Sequence, residues 1–192
     1  MNYWFLAATL IASGIMIIVE RRGAPVVLQL PFKGDIKRES LWLQQWGQFV
    51  ATAAVLALMY SFEPTPAGLR KCVAVTATVL GGSVGCYALK RLFGRVRPNR
   101  PNAGQFLGPT KIHANWRESF PSSHSACAFA LSVALVTLYP QAAIVFYVLA
   151  FCTALLRYLM DAHWPSDVLA GIGCGYALGH GVMAAFGYRG GL

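Results

Sequence analysis

Six long apolar runs dominate the chain, and the breaks between them hold most of its charged and turn-forming residues. A helix needs about 20 apolar residues to cross the hydrocarbon core of a bilayer, with a lower limit near 17. Each run reaches or approaches that length, and the runs cover residues 3–19, 46–62, 72–89, 120–139, 141–160 and 166–186. The pattern predicts an all-α integral membrane protein, a bundle of six transmembrane helices in a single domain over residues 1–192.

Composition agrees with a membrane location and argues against a nucleic-acid partner. Hydrophobic residues make up 56% of the chain and charged residues 12%, with a mean hydropathy of +0.51, which is unlike a soluble domain. The formal net charge is +9, but the basic residues lie in short loops and form no continuous basic face. We therefore expect the lipid bilayer and anionic lipid head groups as partners, and no nucleic acid. The sequence carries no signal for the oligomeric state.

The segment between the first two runs has an amphipathic character. Ile36, Leu43 and Trp46 are spaced so that they can share one helix face, with charged residues on the other side. This favours a short interfacial helix between spans one and two, and a solvated connector is the alternative. The first run is expected to be a retained span rather than a signal sequence. No basic segment precedes it, and charged residues 20–22 follow it in place of a cleavage site.

Glycine and proline positions predict details of the last three helices. Gly171, Gly175 and Gly179 recur every four residues, which lets another helix approach closely. Pro121 and Pro165 are each expected in the first turn of a helix, where a missing N–H group costs nothing.

Three of the breaks carry polar chemistry that a membrane helix would otherwise avoid. They read K-R-L-F-G-R-V-R-P at 90–98, P-S-S-H at 121–124 and R-Y-L-M-D-A-H-W-P-S-D at 157–167. Placing charged residues between apolar segments of membrane-spanning length costs free energy, so these residues indicate a functional site. In a six-span topology the end of span three, the start of span four, the end of span five and the start of span six share one membrane face. The three breaks fall at these four places, which predicts a single site.

The spacing of these motifs resembles that of the type 2 phosphatidic acid phosphatase family, membrane lipid-phosphate phosphatases related to the vanadium haloperoxidases. The resemblance extends over residues 90–171, and the motifs that carry it are K-x6-R-P at 90–98, P-S-x-H at 121–124 and R-x5-H-x3-D at 157–167. Two positions depart from the family pattern. Ser123 stands where glycine is usual, and Leu156 stands where serine usually precedes the arginine.

Five of these residues are candidates for holding a phosphate group. Lys90 would supply a point charge, and Arg97 and Arg157 would supply planar guanidinium groups that can each grip two oxygens. The start of the fourth span presents free N–H groups and the positive end of a helix to an anion. The resemblance implies that Ser122 contributes its hydroxyl group and Ser123 its backbone amide.

The remaining candidates are catalytic. We expect His163 to be the nucleophile, with Asp167 in the first turn of the last span holding one ring nitrogen so that the other can attack phosphorus. His124 would protonate the leaving oxygen; the division of roles between the two histidines is implied by the resemblance. Asp161 precedes His163 by two residues and is a candidate for tuning its charge.

No cofactor and no metal are expected. The motifs contain no carboxylate cluster for magnesium, and the five cysteines form no C-x-x-C pair.

The resemblance implies an integral membrane, metal-independent phosphatase that acts on a lipid phosphomonoester or pyrophosphate through a phosphohistidine. Candidate substrates are polyprenyl pyrophosphate, phosphatidylglycerophosphate, phosphatidic acid and the lipid A 1-phosphate. Two alternatives stay open: a phosphotransferase that passes the phosphoryl group to a second lipid, and a non-catalytic lipid-binding membrane protein.

The charge distribution and the resemblance disagree about which membrane face carries the site. Of the 16 lysines and arginines, only Arg70, Lys71 and Arg189 fall in loops of the opposite face. The positive-inside rule therefore favours a cytoplasmic site, whereas the resemblance implies the periplasmic face of a bacterial inner membrane. Some of the excess charge can serve substrate attraction, so we expect the periplasmic face. A basic rim around the site is expected from Arg91, Arg95, Arg100, Lys111 and Arg117.

Overall fold

Seven α-helices and two single 3₁₀ turns make up the architecture in a computed structural model that describes residues 1–24, 26, 28, 30–160 and 163–188. The described residues contain no strand, only an isolated bridge between Arg95 and Phe106. Asp161 and Arg189 lie outside the described residues. The helices are α1 Tyr3–Arg21, α2 Gly34–Leu43, α3 Phe49–Phe62, α4 Pro66–Phe93, α5 Ser123–Leu138, α6 Ala143–Leu159 and α7 Pro165–Ala185.

Every predicted apolar run contains a helix, which confirms the all-α class, but the lengths differ. Four described helices are long and apolar enough to cross a membrane: Tyr3–Arg21, Pro66–Phe93, Pro140–Leu159 and Pro165–Ala185. The helices α3 and α5 have 14 and 16 residues. At about 1.5 Å per residue they are shorter than a hydrocarbon core of about 30 Å. An integral membrane protein is supported, and the count of six spans stays a prediction.

The segment between α1 and α3 contains the expected short helix, α2. Its C-terminal end docks on α6, because the Thr153 hydroxyl group donates to the carbonyl oxygen of Leu43 at 3.0 Å. On the outer side Ile36 is 64% exposed. A helix occupies this segment in place of a structureless connector, while its position relative to a membrane interface stays a prediction.

The centre of the bundle is α5, which packs against α4, α6 and α7. Almost all of its residues from Ser125 to Val136 are buried, including Phe129, Leu131 and Leu135. On the other side of α7 lies α1. Because the polar start of α5 sits at the end of this central helix, any group that it binds is surrounded by the ends of α4, α6 and α7.

The glycines of α7 allow its close contact with α5, as predicted. A Cβ atom at Gly171 would clash with the carbonyl oxygen of Ser122, and one at Gly175 would clash with that of Ala126. One at Gly179 would press on the side chain of Val133. The first turns of α5 and α7 are therefore held side by side.

The loop between α4 and α5 folds over the polar end of the bundle. It begins at Gly94, which ends α4 in the left-handed conformation with φ of 57°. The chain then pairs with itself, since the Val96 amide donates to the carbonyl oxygen of Gln105 at 2.9 Å. Edge-to-face contacts join Phe93, Phe106 and Phe120 beneath it. This packing fixes the segment that carries Arg95 and Arg97.

Candidate active site

The polar residues of the three motifs meet at one end of the bundle. Lys90 lies in the last turn of α4 and Arg157 in the last turn of α6, while His124 and Asp167 lie in the first turns of α5 and α7. The Ser122 amide donates to the carbonyl oxygen of Asp167 at 2.9 Å, which joins the starts of α5 and α7 directly. The sequence prediction that these four helix ends converge is confirmed.

Ser122 is the N-cap of α5 and is fully buried. Its hydroxyl oxygen accepts hydrogen bonds from the Ser125 amide at 3.4 Å and the Ser125 hydroxyl at 3.0 Å. Accepting both bonds leaves the Ser122 hydroxyl proton able to donate to a ligand. Ser123 and His124, in the first turn, are half-buried and carry amides without an intrahelical partner.

The prediction for Pro121 was wrong. The helix begins two residues later, and Pro121 precedes the N-cap after a cis Phe120–Pro121 bond. At the start of α7, by contrast, Pro165 is the first helical residue, as expected.

Three cations surround this end of α5. The Lys90 side chain is 8% exposed, and its Nζ donates to the carbonyl oxygen of Glu118 at 2.8 Å. Nε and Nη2 of Arg97 donate to the carbonyl oxygen and Oδ1 of Asn115 at 2.8 and 2.9 Å.

Arg157 extends the cationic set from α6. Its Nη1 donates to Oε1 of Gln44 at 2.5 Å, and its Nε is buried without a partner. The charges that act on His124 are those of Arg157, Lys90 and Arg97. Among the described residues, no carboxylate lies within ion-pair distance of Lys90 or Arg157, although the charges of Asp167 and Glu118 still act on Lys90.

His163 and Asp167 form the second half of the site. The His163 ring is 2% exposed, and its Nδ1 lies 3.6 Å from Oδ2 of Asp167, slightly beyond a hydrogen bond. Asp167 is fully buried. Its Oδ2 accepts from the Ser119 hydroxyl at 2.5 Å and from the Trp164 amide at 3.0 Å. These contacts fix the carboxylate beside the imidazole ring.

The environment keeps the His163 ring neutral. Its pKa is lowered to about 3: burial is the largest cause, the charges of Lys90 and Arg97 act in the same direction, and Asp167 opposes them. A neutral imidazole at neutral pH has a lone pair on one ring nitrogen, which is the form that a nucleophile requires.

Family membership follows from the match of a family profile. The profile of the PAP2 superfamily covers residues 69–190, which is more than half of the chain and includes all three motifs. The chain belongs to the PAP2 superfamily. The predicted resemblance is therefore confirmed.

Three relatives of this PAP2 chain carry the name lipid A 1-phosphatase. The protein of Rhizobium etli is 39% identical over 89 residues, which are 45% of this chain and 38% of the relative. That of Rhizobium johnstonii is 38% identical over 89 residues, covering 45% and 36%. That of Porphyromonas gingivalis is 32% identical over 110 residues, covering 55% and 21%. The matched segments thus span less than two fifths of the length of each relative.

The fold also resembles a solved structure. The crystal structure of a transmembrane PAP2-type phosphatidylglycerolphosphate phosphatase from Bacillus subtilis aligns with a TM-score of 0.57, covering 95% of this chain and 92% of that one. The two sequences are 18% identical, so this likeness concerns the fold alone.

One residue of the PAP2 chain lies far from its expected place. Arg95 was predicted to belong to the basic rim, but its side chain is 1% exposed. Its Nη1 donates to Oδ1 of Asp167 at 2.6 Å, and its Nη2 donates to Oε2 of Glu20 at 2.7 Å. The rim prediction is wrong here because two buried carboxylates, one of them 75 residues away, attract the guanidinium group inward.

Sequence reasoning also missed Ser119, Glu20 and Gln44. Ser119 could have been noticed as a hydroxyl residue close to the second motif. Glu20 and Gln44 precede the region matched by the family profile, and no local pattern relates them to the motifs. The expected rim residues Arg100 and Lys111 are exposed, and Arg91 and Arg117 are half-buried.

A cavity of about 520 Å³ opens beside Arg97. Arg100, Asn102, Asn115 and Trp116 line it. It adds a space lined by two arginines next to the cationic end of the bundle.

Proposed function

We propose that this PAP2 chain is an integral membrane phosphatase that hydrolyses the phosphomonoester or pyrophosphate of a lipid through a phosphohistidine. The observation that carries the proposal is the convergence of Lys90, Arg97 and Arg157 on His124, with no carboxylate within ion-pair distance of Lys90 or Arg157 among the described residues. Burying cations without anionic partners is unfavourable. A phosphate group would supply the missing negative charge, and the neutral oxygens that now bind these side chains would be exchanged for phosphate oxygens.

Binding would use the five residues expected from the sequence. Lys90, Arg97 and Arg157 would neutralise the phosphate, while the Ser122 hydroxyl and the Ser123 amide would donate to its oxygens. The amide function survives the presence of serine at position 123, since every residue except proline carries an N–H group. No metal is required for this charge neutralisation.

The chemistry would proceed in two balanced steps. In the first, Nε2 of His163 forms a bond to phosphorus, the bond from phosphorus to the lipid oxygen breaks, and His124, protonated once the bound phosphate offsets the three cations beside it, donates its proton to that oxygen. Asp167 accepts the Nδ1–H group and stabilises the positive ring. In the second, His124 takes a proton from water, the water oxygen bonds to phosphorus, and the nitrogen–phosphorus bond breaks to release orthophosphate.

The names of the relatives favour one substrate among the candidates. Three of them are called lipid A 1-phosphatase, which favours a lipid A 1-phosphate among the candidates. Phosphatidylglycerophosphate, phosphatidic acid and polyprenyl pyrophosphate offer the same phosphate chemistry and belong in the same assay. We place the site on the periplasmic face of a bacterial inner membrane.

The test is phosphate release by detergent-purified protein from a panel of these lipids, with EDTA present. We expect release by the wild type, loss of at least about a thousandfold in His163→Ala, and an acid-labile phosphoryl label on the wild-type protein. His180→Ala is the matched control, because His180 lies in the second half of α7 against Tyr176.

Four results would contradict the proposal. Activity that disappears on chelation and returns with magnesium would refute the metal-free mechanism. Undiminished phosphate release by His163→Ala would refute the assignment of His163 as the nucleophile. Transfer of the label to a second lipid instead of water would identify a phosphotransferase, and no release from any lipid would leave a binding protein.

A further inference from the structure

A buried chain of charges connects the end of α1 to the candidate catalytic pair. Glu20, Arg95 and Asp167 have side chains at most 2% exposed. Arg95 bridges the two carboxylates through different nitrogens, at 2.7 Å to Glu20 and 2.6 Å to Asp167. Nδ1 of His163 follows at 3.6 Å from the far oxygen of Asp167.

Glu20 is held in this position by α7 as well. Its Oε1 accepts from the Ser166 amide at 3.0 Å, and its Oε2 accepts from the Ser166 hydroxyl at 2.5 Å. Ser13 adds a further link from α1, since its hydroxyl donates to the carbonyl oxygen of Ser166 at 2.9 Å. The start of α7 therefore has a fixed position relative to Glu20.

The contacts of Asp167 hold its carboxylate with Oδ2 toward the imidazole ring of His163. Arg95 binds Oδ1, and Ser119 together with the Trp164 amide binds Oδ2 on the side that faces His163. The guanidinium carbon of Arg95 lies 4.9 and 5.2 Å from the ring centres of Phe106 and Trp164. These contacts restrain the guanidinium group, which holds Oδ1 while Ser119 and the Trp164 amide hold Oδ2.

The charge balance gives Glu20 a second effect. With Glu20 present, Arg95 is shared between two carboxylates, and the set of Glu20, Arg95 and Asp167 has a net charge of −1. Without it, Arg95 would pair with Asp167 alone and withdraw electron density from the oxygen beside His163. The ring that becomes positive during attack would then be less stabilised.

We propose that Glu20 and Arg95 are positioning residues for the phosphatase reaction: Glu20 holds Arg95, and Arg95 orients Asp167 toward His163. The inference rests on the proposed function. It extends the functional unit to a residue of α1, outside the region matched by the PAP2 profile.

The test measures the rate constant of phosphoenzyme formation by rapid quench, with a phosphate-labelled lipid and detergent-purified full-length protein. A first-order rate constant does not depend on how much of the protein is folded, whereas the burst amplitude does. If Glu20 only stabilises the fold, its replacement would lower the burst amplitude. If Glu20 positions Asp167 through Arg95, its replacement would lower the rate constant.

We expect Glu20→Gln to lower the rate constant about tenfold or more, as misplacement of catalytic groups does. The shorter carboxylate of Glu20→Asp should restore part of the rate, and it also covers the case in which Glu20→Gln fails to fold. Glu39→Gln is the matched control, since that glutamate is exposed on α2 and, among the described residues, its one ion pair is with the surface residue Arg38. In an Asp167→Asn background, Glu20→Asp and Glu20→Gln should have no further effect, because both act through Asp167.

Unchanged rate constants with reduced amplitudes would overturn the inference and leave Glu20 as a structural brace. Additive effects in the Asp167→Asn background would also overturn it. An inactive wild type would refute the proposed function itself, and the inference with it, so the two failures are distinguishable.

Discussion

Replacing Lys90 by methionine should remove activity while leaving the ligand-free protein at least as stable. Methionine keeps an unbranched apolar side chain of similar length and removes only the ammonium group. Lys90 is buried, has no ion-pair partner within the described residues, and lies close to the charge of Arg97. We therefore expect its charge to serve a ligand rather than the fold.

The magnitude follows from two opposing contributions. Replacing a buried charge with an apolar group of similar volume is neutral or stabilising by about 1–4 kcal/mol. Losing the hydrogen bond to the carbonyl oxygen of Glu118, at 2.8 Å, removes about 1–3 kcal/mol. With the middle of each range, the two contributions nearly cancel, and the net change for Lys90→Met is about 0.5 kcal/mol of stabilisation, or about 1 to 2 °C in unfolding temperature.

With orthophosphate present, the wild type should become more stable than Lys90→Met. At a concentration about 100 times its Kd, a ligand stabilises the protein that binds it by about 2.7 kcal/mol. The wild type should gain this stabilisation, whereas Lys90→Met should gain much less. The assay is thermal unfolding in detergent with and without orthophosphate, alongside phosphate release, and Lys37→Met on the exposed side of α2 is the control.

The reasoning would be refuted by a ligand-free Lys90→Met protein that unfolds several degrees below the wild type. It would also be refuted if phosphate stabilised both proteins equally. In the first case Lys90 would be a structural residue, and in the second it would not bind the anion.

Three further predictions follow from single contacts. Gln44→Glu would give Arg157 a permanent ion-pair partner that competes with phosphate, so KM should rise about tenfold in Michaelis curves, with thermal melting as the check that the protein stays folded. Gly175→Ala should destabilise the fold by about 1–3 kcal/mol through overpacking. Gly181→Ala, where a Cβ atom meets nothing within 4 Å, should be neutral or slightly stabilising in the same melting experiment. Because burial lowers the pKa of His163 to about 3, from about 6.5 in the unfolded chain, its contribution to stability should be complete above pH 6.5. It should decline as the pH falls toward 3, by at most about 1.4 kcal/mol per pH unit. His163→Gln should flatten that decline in unfolding temperature.

Hydropathy and motif spacing were enough to predict the helical architecture and the convergence of the site. Both depend on local signals, since an apolar run marks a helix and a polar break marks its end. The positions of Lys90, His124, Arg157 and Asp167 at four helix ends follow from these signals alone. The close contact of α5 and α7 was predictable for the same reason, because glycines at every fourth position mark one helix face.

What could not be predicted depends on pairing between distant parts of the chain. A hydropathy profile assigns Arg95 to a solvated loop, because it does not register that two carboxylates compensate the guanidinium inside the protein. The N-terminal boundary of α5 was misplaced because the profile counts Phe120 and Pro121 as apolar, while the N-cap preference of Ser122 decides where the helix begins.

The contacts of Glu20 and Gln44 have a consequence for how the protein should be cut. A fragment trimmed to residues 69–190, the limits of the family profile, would lack Glu20 and Gln44. Arg95 would keep Asp167 but lose its second carboxylate, and Arg157 would lose its amide partner, so two buried guanidinium groups would each be short of a polar contact. The smallest piece worth expressing therefore includes α1 and α2, whatever boundary a family alignment suggests.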